Sequence, residues 1–288
     1  MMASMTGFAR RETSGPFGVL VCEIRSVNHR FLDPALRLPD SCRGLETELR
    51  QTLAAELRRG KVDCTVLHRP PATGAGTLDV DAGALQALLA RARDVAAAAG
   101  SGARIEVLDL LRWPGVLREE ALDAERFAAA VRELFAAAVT DLKSARVREG
   151  ERLAGLIRQR CAALGQLVEQ VSARAPEVQA RVRTRILERL AELGAEVNRE
   201  RVEQEVVLLL QRLDVTEELD RLRGHLAETT RVLAAPEPAG RRLDFLMQEF
   251  NREANTLSSK SQDLETTRAA VEMKVAIEQM REQVQNIE

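Results

Sequence analysis

Two glutamates one helical turn apart, Glu249 and Glu253, stand in the segment "GRRLDFLMQEFNREANTLSSKS" at 240–261. At about 100° per residue, Leu243, Leu246, Met247, Phe250, Ala254 and Leu257 share one narrow arc, so the segment reads as a helix with one buried side. Its polar residues form two stripes. Asp244, Gln248, Asn251 and Asn255 make the first; Glu249 and Glu253, continued by Thr256 and Lys260, make the second. Like charges at i and i+4 repel each other on an isolated helix. Such a pair is either neutralised, by Arg252 and by other helices, or holds a hard divalent cation, with the amides positioning that ion or a phosphate. Arg241 and Arg242, beside the N–H groups of the first turn, would add anion affinity.

The preceding segment, "LDVTEELDRLRGHLAE", repeats the arrangement. Val215, Leu219, Leu222 and Leu226 take the buried side, while Asp214, Glu218, Arg221 and His225 form a stripe at steps of four, three and four. Carboxylates and an imidazole on one helical face suit either acid–base and metal chemistry or a solvated stripe with one salt bridge. Two such stripes on consecutive helices joined by a short loop can converge. The chain has no Gly-rich phosphate loop, no GxSxG elbow and no Cys/His pair at catalytic spacing.

Composition narrows the partners. Net charge is −2, so any nucleic-acid contact needs a local basic patch. All but four of the 42 Lys and Arg are arginine, which suits planar phosphate recognition but also follows from a GC-rich coding sequence. Aromatics are 3% and tyrosine is absent, which argues against base stacking. Cysteines 22, 42, 64 and 161 form no CxxC pair and fit a reducing interior. The opening "MMASMTGFAR" lacks an apolar leader core, and no run reaches bilayer length. A cytoplasmic protein with no membrane partner is expected.

The elements that would position these residues read as α+β. Strands are expected near Met5 to Arg10, at 18–27 and at 30–38, where Pro34 marks an edge or a bulge. Leu45, Leu49, Leu53 and Leu57 then define a helix closed by Gly60, followed by a strand with Val62, Cys64 and Val66 on one face. After a turn-rich loop over 70–80, Asp81 caps a helix carrying Leu85, Leu88, Leu89, Ala92 and Val95. From 119 onward the chain is nearly all helix. An apolar stripe (Leu153, Leu156, Ile157, Leu164, Leu167, Val168, Val171) is interrupted at Pro176, and the next helix is closed by Gly194. A third helix covers about 198 to 233, and "AAPEPAG" breaks it. The last, about 263 to 286, carries a coiled-coil-like seam of Met273, Ile277, Met280, Val284 and Ile287. The expected division is an N-terminal α+β domain at 1–118, a long-helix region at 119–200 and a C-terminal helical domain at 201–288. In the first of these, Arg25, Asn28, His29 and Arg30 gather at a strand-to-strand turn, with Arg10 and Arg37 nearby, as a basic patch or simply a polar hairpin tip. His29 and His68 read as structural.

The segments "SMTGFAR", "EIRSVNHRFLD", "RLP", "RGKV", "LRWPGV" and "GRRLDFLMQEFNREANTLSSKS" occur in one order along nearly the whole chain. In this the chain resembles the YicC/YloC family of bacterial endoribonucleases. The resemblance implies an N-terminal α+β domain, a helical C-terminal domain, a homohexamer that encloses RNA, and divalent-metal-dependent cleavage of structured or small regulatory RNA, with Mn²⁺ the usual activator and Mg²⁺ the alternative. Asp244, Glu249, Asn251, Arg252, Glu253, Asn255 and Lys260 match its motif, and Asp214, Glu218, Arg221 and His225 match its preceding helix. On this reading Glu249 and Glu253, with Glu218 or Asp214, hold the metal; His225 moves a proton; and Asp244 joins these as a catalytic candidate. Arg241, Arg242, Asn251, Arg252, Asn255 and Lys260, with Arg25, Asn28 and Arg30, would bind RNA. Two alternatives remain: a non-catalytic hexameric adaptor presenting RNA to another nuclease, and cleavage through the RNA 2′-OH.

Overall fold

The chain is described by a computed structural model that covers residues 2–71, 80–100, 106–117, 123–192, 199–235 and 237–288. Strands β1 (Gly7–Gly15), β2 (Gly18–Val27), β3 (Leu32–Arg37) and β4 (Gly60–Arg69) form a sheet of order β1-β2-β4-β3. The β1–β2 and β2–β4 pairs are antiparallel, and β3 lies parallel to β4. Pro34 therefore sits on an edge strand, where its missing N–H breaks no inner ladder. Gly18 closes the β1–β2 hairpin at φ +93°, and a Cβ there would lie 2.2 Å from the Arg69 carbonyl.

Helix α1 (Glu46–Glu56) covers one face of the sheet together with the start of α4 (Ala124–Glu192). Leu20, Cys22, Ile24, Val62, Cys64 and Val66 pack there against Leu49, Leu53, Phe127, Phe135 and Leu142. The fold is α+β, as expected. Asp81 caps α2 (Ala82–Ala99), accepting from Ala84 N at 2.8 Å. The apolar stripe of α2 buries nothing fully, however: among the described elements it packs mainly on the short α3 (Val107–Arg112).

The 69-residue α4, roughly 100 Å long at 1.5 Å per residue, serves two cores. Its C-terminal half packs Leu153, Ile157, Leu164, Val168 and Val171 against α6 (Thr216–Ala234), α7 (Gly240–Lys260) and α8 (Leu264–Val284). The α7 arc and the α8 seam are both buried in this second core. Between the cores, buried Arg146 donates to the Ser4 carbonyl at 2.6 Å and to Glu288 Oε2 at 2.5 Å, so both ends of the chain are tied to the middle of α4. No described helix is long and apolar enough to cross a membrane.

Four expectations are corrected. Gly60 does not close α1: buried Leu57 turns the chain extended, and Gly60 opens β4 at φ +113°. Pro176 does not interrupt α4. Asp263 accepts from Arg174 at 2.6 Å and from Arg181 at 2.8 Å, one guanidinium on each side of the proline, and so holds the helix together where a backbone hydrogen bond is lost. The single helix expected over 198–233 is two, α5 (Arg199–Leu213) and α6. Asp214 Oδ1 accepts from Thr216 N and Oγ1 at 3.0 and 2.7 Å, a local side-chain turn that competes with continuing the helix. Leu156 points out of its stripe, and Cys161 takes the buried position instead. Residues 72–79 of the expected loop, Gly194, and the boundary at 118/119 lie outside the described residues.

Candidate functional site

The short connection after Ala234 folds α7 back along α6, so their polar stripes face each other in antiparallel order. Leu219 and Leu222 from α6 and Leu243, Met247 and Phe250 from α7 are buried below, which fixes this register. At one end, Glu218 Oε1 accepts from Lys260 Nζ at 2.9 Å, and the same ammonium donates to the Asp214 carbonyl at 2.8 Å. One step on, Glu253 Oε1 accepts from Arg221 Nη1 at 3.3 Å. At the far end, Glu228 pairs with Arg242 at 2.5 Å.

Between these ion pairs the pattern changes. Where a cation would continue the ladder stands His225, and its ring, Glu249 and Glu253 each place one donor atom within 4.8 Å of the other two. Glu253 is 2% exposed, and His225 Nε2 is buried with no hydrogen-bond partner among the described residues. The imidazole is fixed edge-on to the Phe250 ring at 5.6 Å, and its backbone carbonyl accepts from the buried Thr229 hydroxyl. A buried nitrogen without a partner and a carboxylate taken out of water both cost free energy unless something compensates them.

The donor set fits a divalent cation. Metal–ligand bonds of about 2.0–2.3 Å put neighbouring donors roughly 3–4.5 Å apart, so the observed spread needs little contraction. Two carboxylates supply the countercharge, and the His225 ring, whose Nε2 has no partner among the described residues, supplies a nitrogen donor. Arg221 already neutralises part of Glu253, and the hydrogen bond to Glu253 raises the guanidinium above its ordinary value. Glu249 is contacted loosely by Arg252 at 3.8 Å, which leaves its carboxylate available.

Glu218 and Asp214 lie outside the three-residue cluster. Glu218 Oε2 is buried with no partner among the described residues beside the Lys260 pair, and Asp214 is occupied in a turn with Thr216 at the start of α6. Those bonds hold the Asp214 carboxyl below its usual range, the Thr216 hydroxyl being the largest cause. Asp244 accepts from Gln248 at 3.1 Å on the other stripe. Asn255 donates to Asn251 at 2.7 Å, and Arg241 is exposed at the start of α7. On the sheet, Arg25 is exposed and in register with Phe8 and Asp63. Asn28 donates to the Gln285 carbonyl at 2.7 Å, and the Arg30 guanidinium lies 5.2 Å from the centre of the Phe31 ring. His68 Nε2 donates to the Phe17 carbonyl at 2.7 Å, and His29 Nδ1 lies 2.9 Å from the Phe31 carbonyl and 3.4 Å from the Phe31 N–H, both structural roles. Sequence reasoning gave no role to Arg281, which faces the α7 amides from α8; its helix-surface spacing carries no distinguishing signal.

Two family models cover the chain. "Endoribonuclease YicC-like, N-terminal region" matches residues 2–155, and "Endoribonuclease YicC-like, C-terminal" matches 171–288. The chain is 42% identical over 288 residues to a protein of Haemophilus influenzae named probable endoribonuclease YicC, with all of both chains covered. It is 29% identical over 293 residues to the protein of that name from Clostridioides difficile, again with full coverage of both. The chain belongs to the endoribonuclease YicC-like family.

Proposed function

We propose that this member of the YicC-like family is an endoribonuclease that hydrolyses phosphodiester bonds in structured or small regulatory RNA, using a divalent cation held by His225, Glu249 and Glu253. The observation that carries the reading is the convergence of His225, whose buried Nε2 has no partner among the described residues, with two carboxylates at the centre of an otherwise paired ladder. The names of the relatives support the reaction class. An imidazole in the donor set favours a transition-metal ion, hence Mn²⁺ ahead of Mg²⁺. When bound, such an ion would supply Lewis-acid charge to a phosphoryl oxygen and lower the pKa of water.

The chain's own residues do the positioning. Arg221 fixes the Glu253 carboxylate, and the Phe250 edge contact fixes the His225 ring. His225 becomes a ligand in this reading, not a proton carrier. Lys260, itself oriented by Glu218 and the Asp214 carbonyl, and Arg252 supply cationic donors for RNA phosphates on either side of the cluster. A homohexamer that encloses RNA is part of the same proposal. It would cover side chains left open on α5 and α3, including Val207, Leu208, Val107 and Leu108. The four free cysteines, all buried, accord with a cytoplasmic setting.

The test is cleavage of an end-labelled stem-loop RNA by tag-free protein in Mn²⁺, Mg²⁺ or EDTA, with the product ends mapped. Cutting that requires the cation and leaves no 2′,3′-cyclic phosphate supports hydrolysis. A cyclic phosphate would replace water attack by the 2′-OH route, and tight binding without cutting would make the protein an adaptor.

A further inference from the structure

The second stripe of α7 faces a different neighbour. Gln248, Asn251, Asn255 and Thr256 line a groove of about 500 Å³ whose far wall is Arg281 of α8. Arg252 and Met247 complete the lining among the described residues. We infer that this groove seats an unpaired nucleotide of the RNA and reads the edge of its base, so that it sets where the neighbouring cluster cuts. The inference rests on the proposed nuclease reading.

Three features point to a nucleotide. A volume of this order is that of a small-ligand pocket. Both charged side chains in the lining are arginines, each only loosely tied to a carboxylate on its own helix: Arg252 to Glu249 at 3.8 Å and Arg281 to Glu278 at 3.7 Å. Among the described residues the lining itself carries two guanidiniums and no carboxylate, which suits contact with a phosphate. The amides are oriented in advance. Asn255 donates to Asn251 at 2.7 Å and Gln248 donates to Asp244 at 3.1 Å. Those bonds fix the side chains and still leave a donor on Asn251 and acceptors on Asn255 and Gln248. A donor beside an acceptor is the complement of a base edge, and Asn and Gln are the side chains that pair with such edges in two places.

The location gives the groove its consequence. Arg252 contacts Glu249 of the cluster and also lines the groove, so a nucleotide seated there lies next to the proposed site of cutting. Recognition by base edge needs no aromatic platform, in keeping with the low aromatic content.

The experiment uses the full chain in EDTA, with fluorescence anisotropy of labelled, unstructured RNA decamers: A, C and U homopolymers and an abasic ribose-phosphate decamer. Wild type is expected to bind its best base-bearing decamer about tenfold more tightly than the abasic one. Asn251→Ala and Asn255→Ala should bring base-bearing affinity down to the abasic level, while Arg281→Ala should weaken every decamer alike. Wild-type binding without base discrimination, or discrimination that survives both Asn variants, overturns the inference and leaves the nuclease reading standing. A change in sedimentation of the Asn variants with unchanged RNA preference also overturns it, assigning the groove to a subunit contact. Wild type that neither binds the decamers nor cuts stem-loop RNA when Mn²⁺ is added removes the nuclease reading itself.

Discussion

Arg221 on α6 donates to the buried carboxylate of Glu253 on α7 at 3.3 Å, while its other terminal nitrogen meets Glu217 one turn back. The bond joins the two helices that carry the candidate site and sets which carboxylate is fixed and which is left open. Glu253 is the fixed member, and Glu249 is met loosely, by Arg252 at 3.8 Å.

Arg221→Ala should therefore strand a buried carboxylate, and the free protein should melt at a lower temperature than wild type. A divalent cation would replace the lost charge. Added Mn²⁺ is expected to raise the melting temperature of Arg221→Ala more than that of wild type, by differential scanning fluorimetry. Equal shifts would place cation binding away from Glu253.

Asp263 is the cap of α8 and the shared acceptor of Arg174 and Arg181. Arg174 is the main cause that holds its carboxyl well below the usual carboxylate range. A depressed folded-state value means that the charge stabilises the fold above the unfolded value of about 3.9 and ceases to do so as pH falls through the folded value. Asp263→Ala should cost about 1–2 kcal/mol at pH 7 through the lost cap alone. The gap to wild type in urea unfolding should narrow as pH drops below about 4. A gap that is constant with pH would show that the charge plays no part.

Arg146 ties the chain ends to α4 through Ser4, Arg59 and Glu288. It is 2% exposed, and burial lowers its guanidinium below the ordinary value. Arg146→Met leaves the Glu288 carboxylate and the Ser4 carbonyl without this partner, and about 3 kcal/mol of stability should be lost. Urea midpoints measure this; an unchanged midpoint would mean that the two cores hold together without the clasp.

What the sequence revealed follows from local rules. Pro34 marked an edge strand, Asp81 a cap, and the 3.6-residue spacing of Leu243, Met247, Phe250, Ala254 and Leu257 the buried arc of α7. The failures come from long-range terms. Nothing near Pro176 reveals that Asp263, from another helix, will brace it. The break at Asp214 depends on a single side-chain turn with Thr216. The stripe on α2 had the right period, but periodicity does not say what will cover it. The site divides in the same way. The Glu249–Glu253 spacing is visible on one helix, whereas the placing of His225 beside them, and of Lys260 beside Glu218, depends on the register between α6 and α7.

The central claim is that His225, Glu249 and Glu253 hold the cation that supports RNA cleavage. The most direct measurement is the single-turnover cleavage rate on one stem-loop RNA across a Mn²⁺ titration, for wild type, His225→Ala, Glu249→Ala and Glu253→Ala, each first checked for folding by circular dichroism. The account predicts folded variants whose rates fall on the order of a hundredfold or more, with the Mn²⁺ midpoint moved to higher concentration wherever activity remains. Folded variants that cut at the wild-type rate with an unchanged midpoint would contradict it.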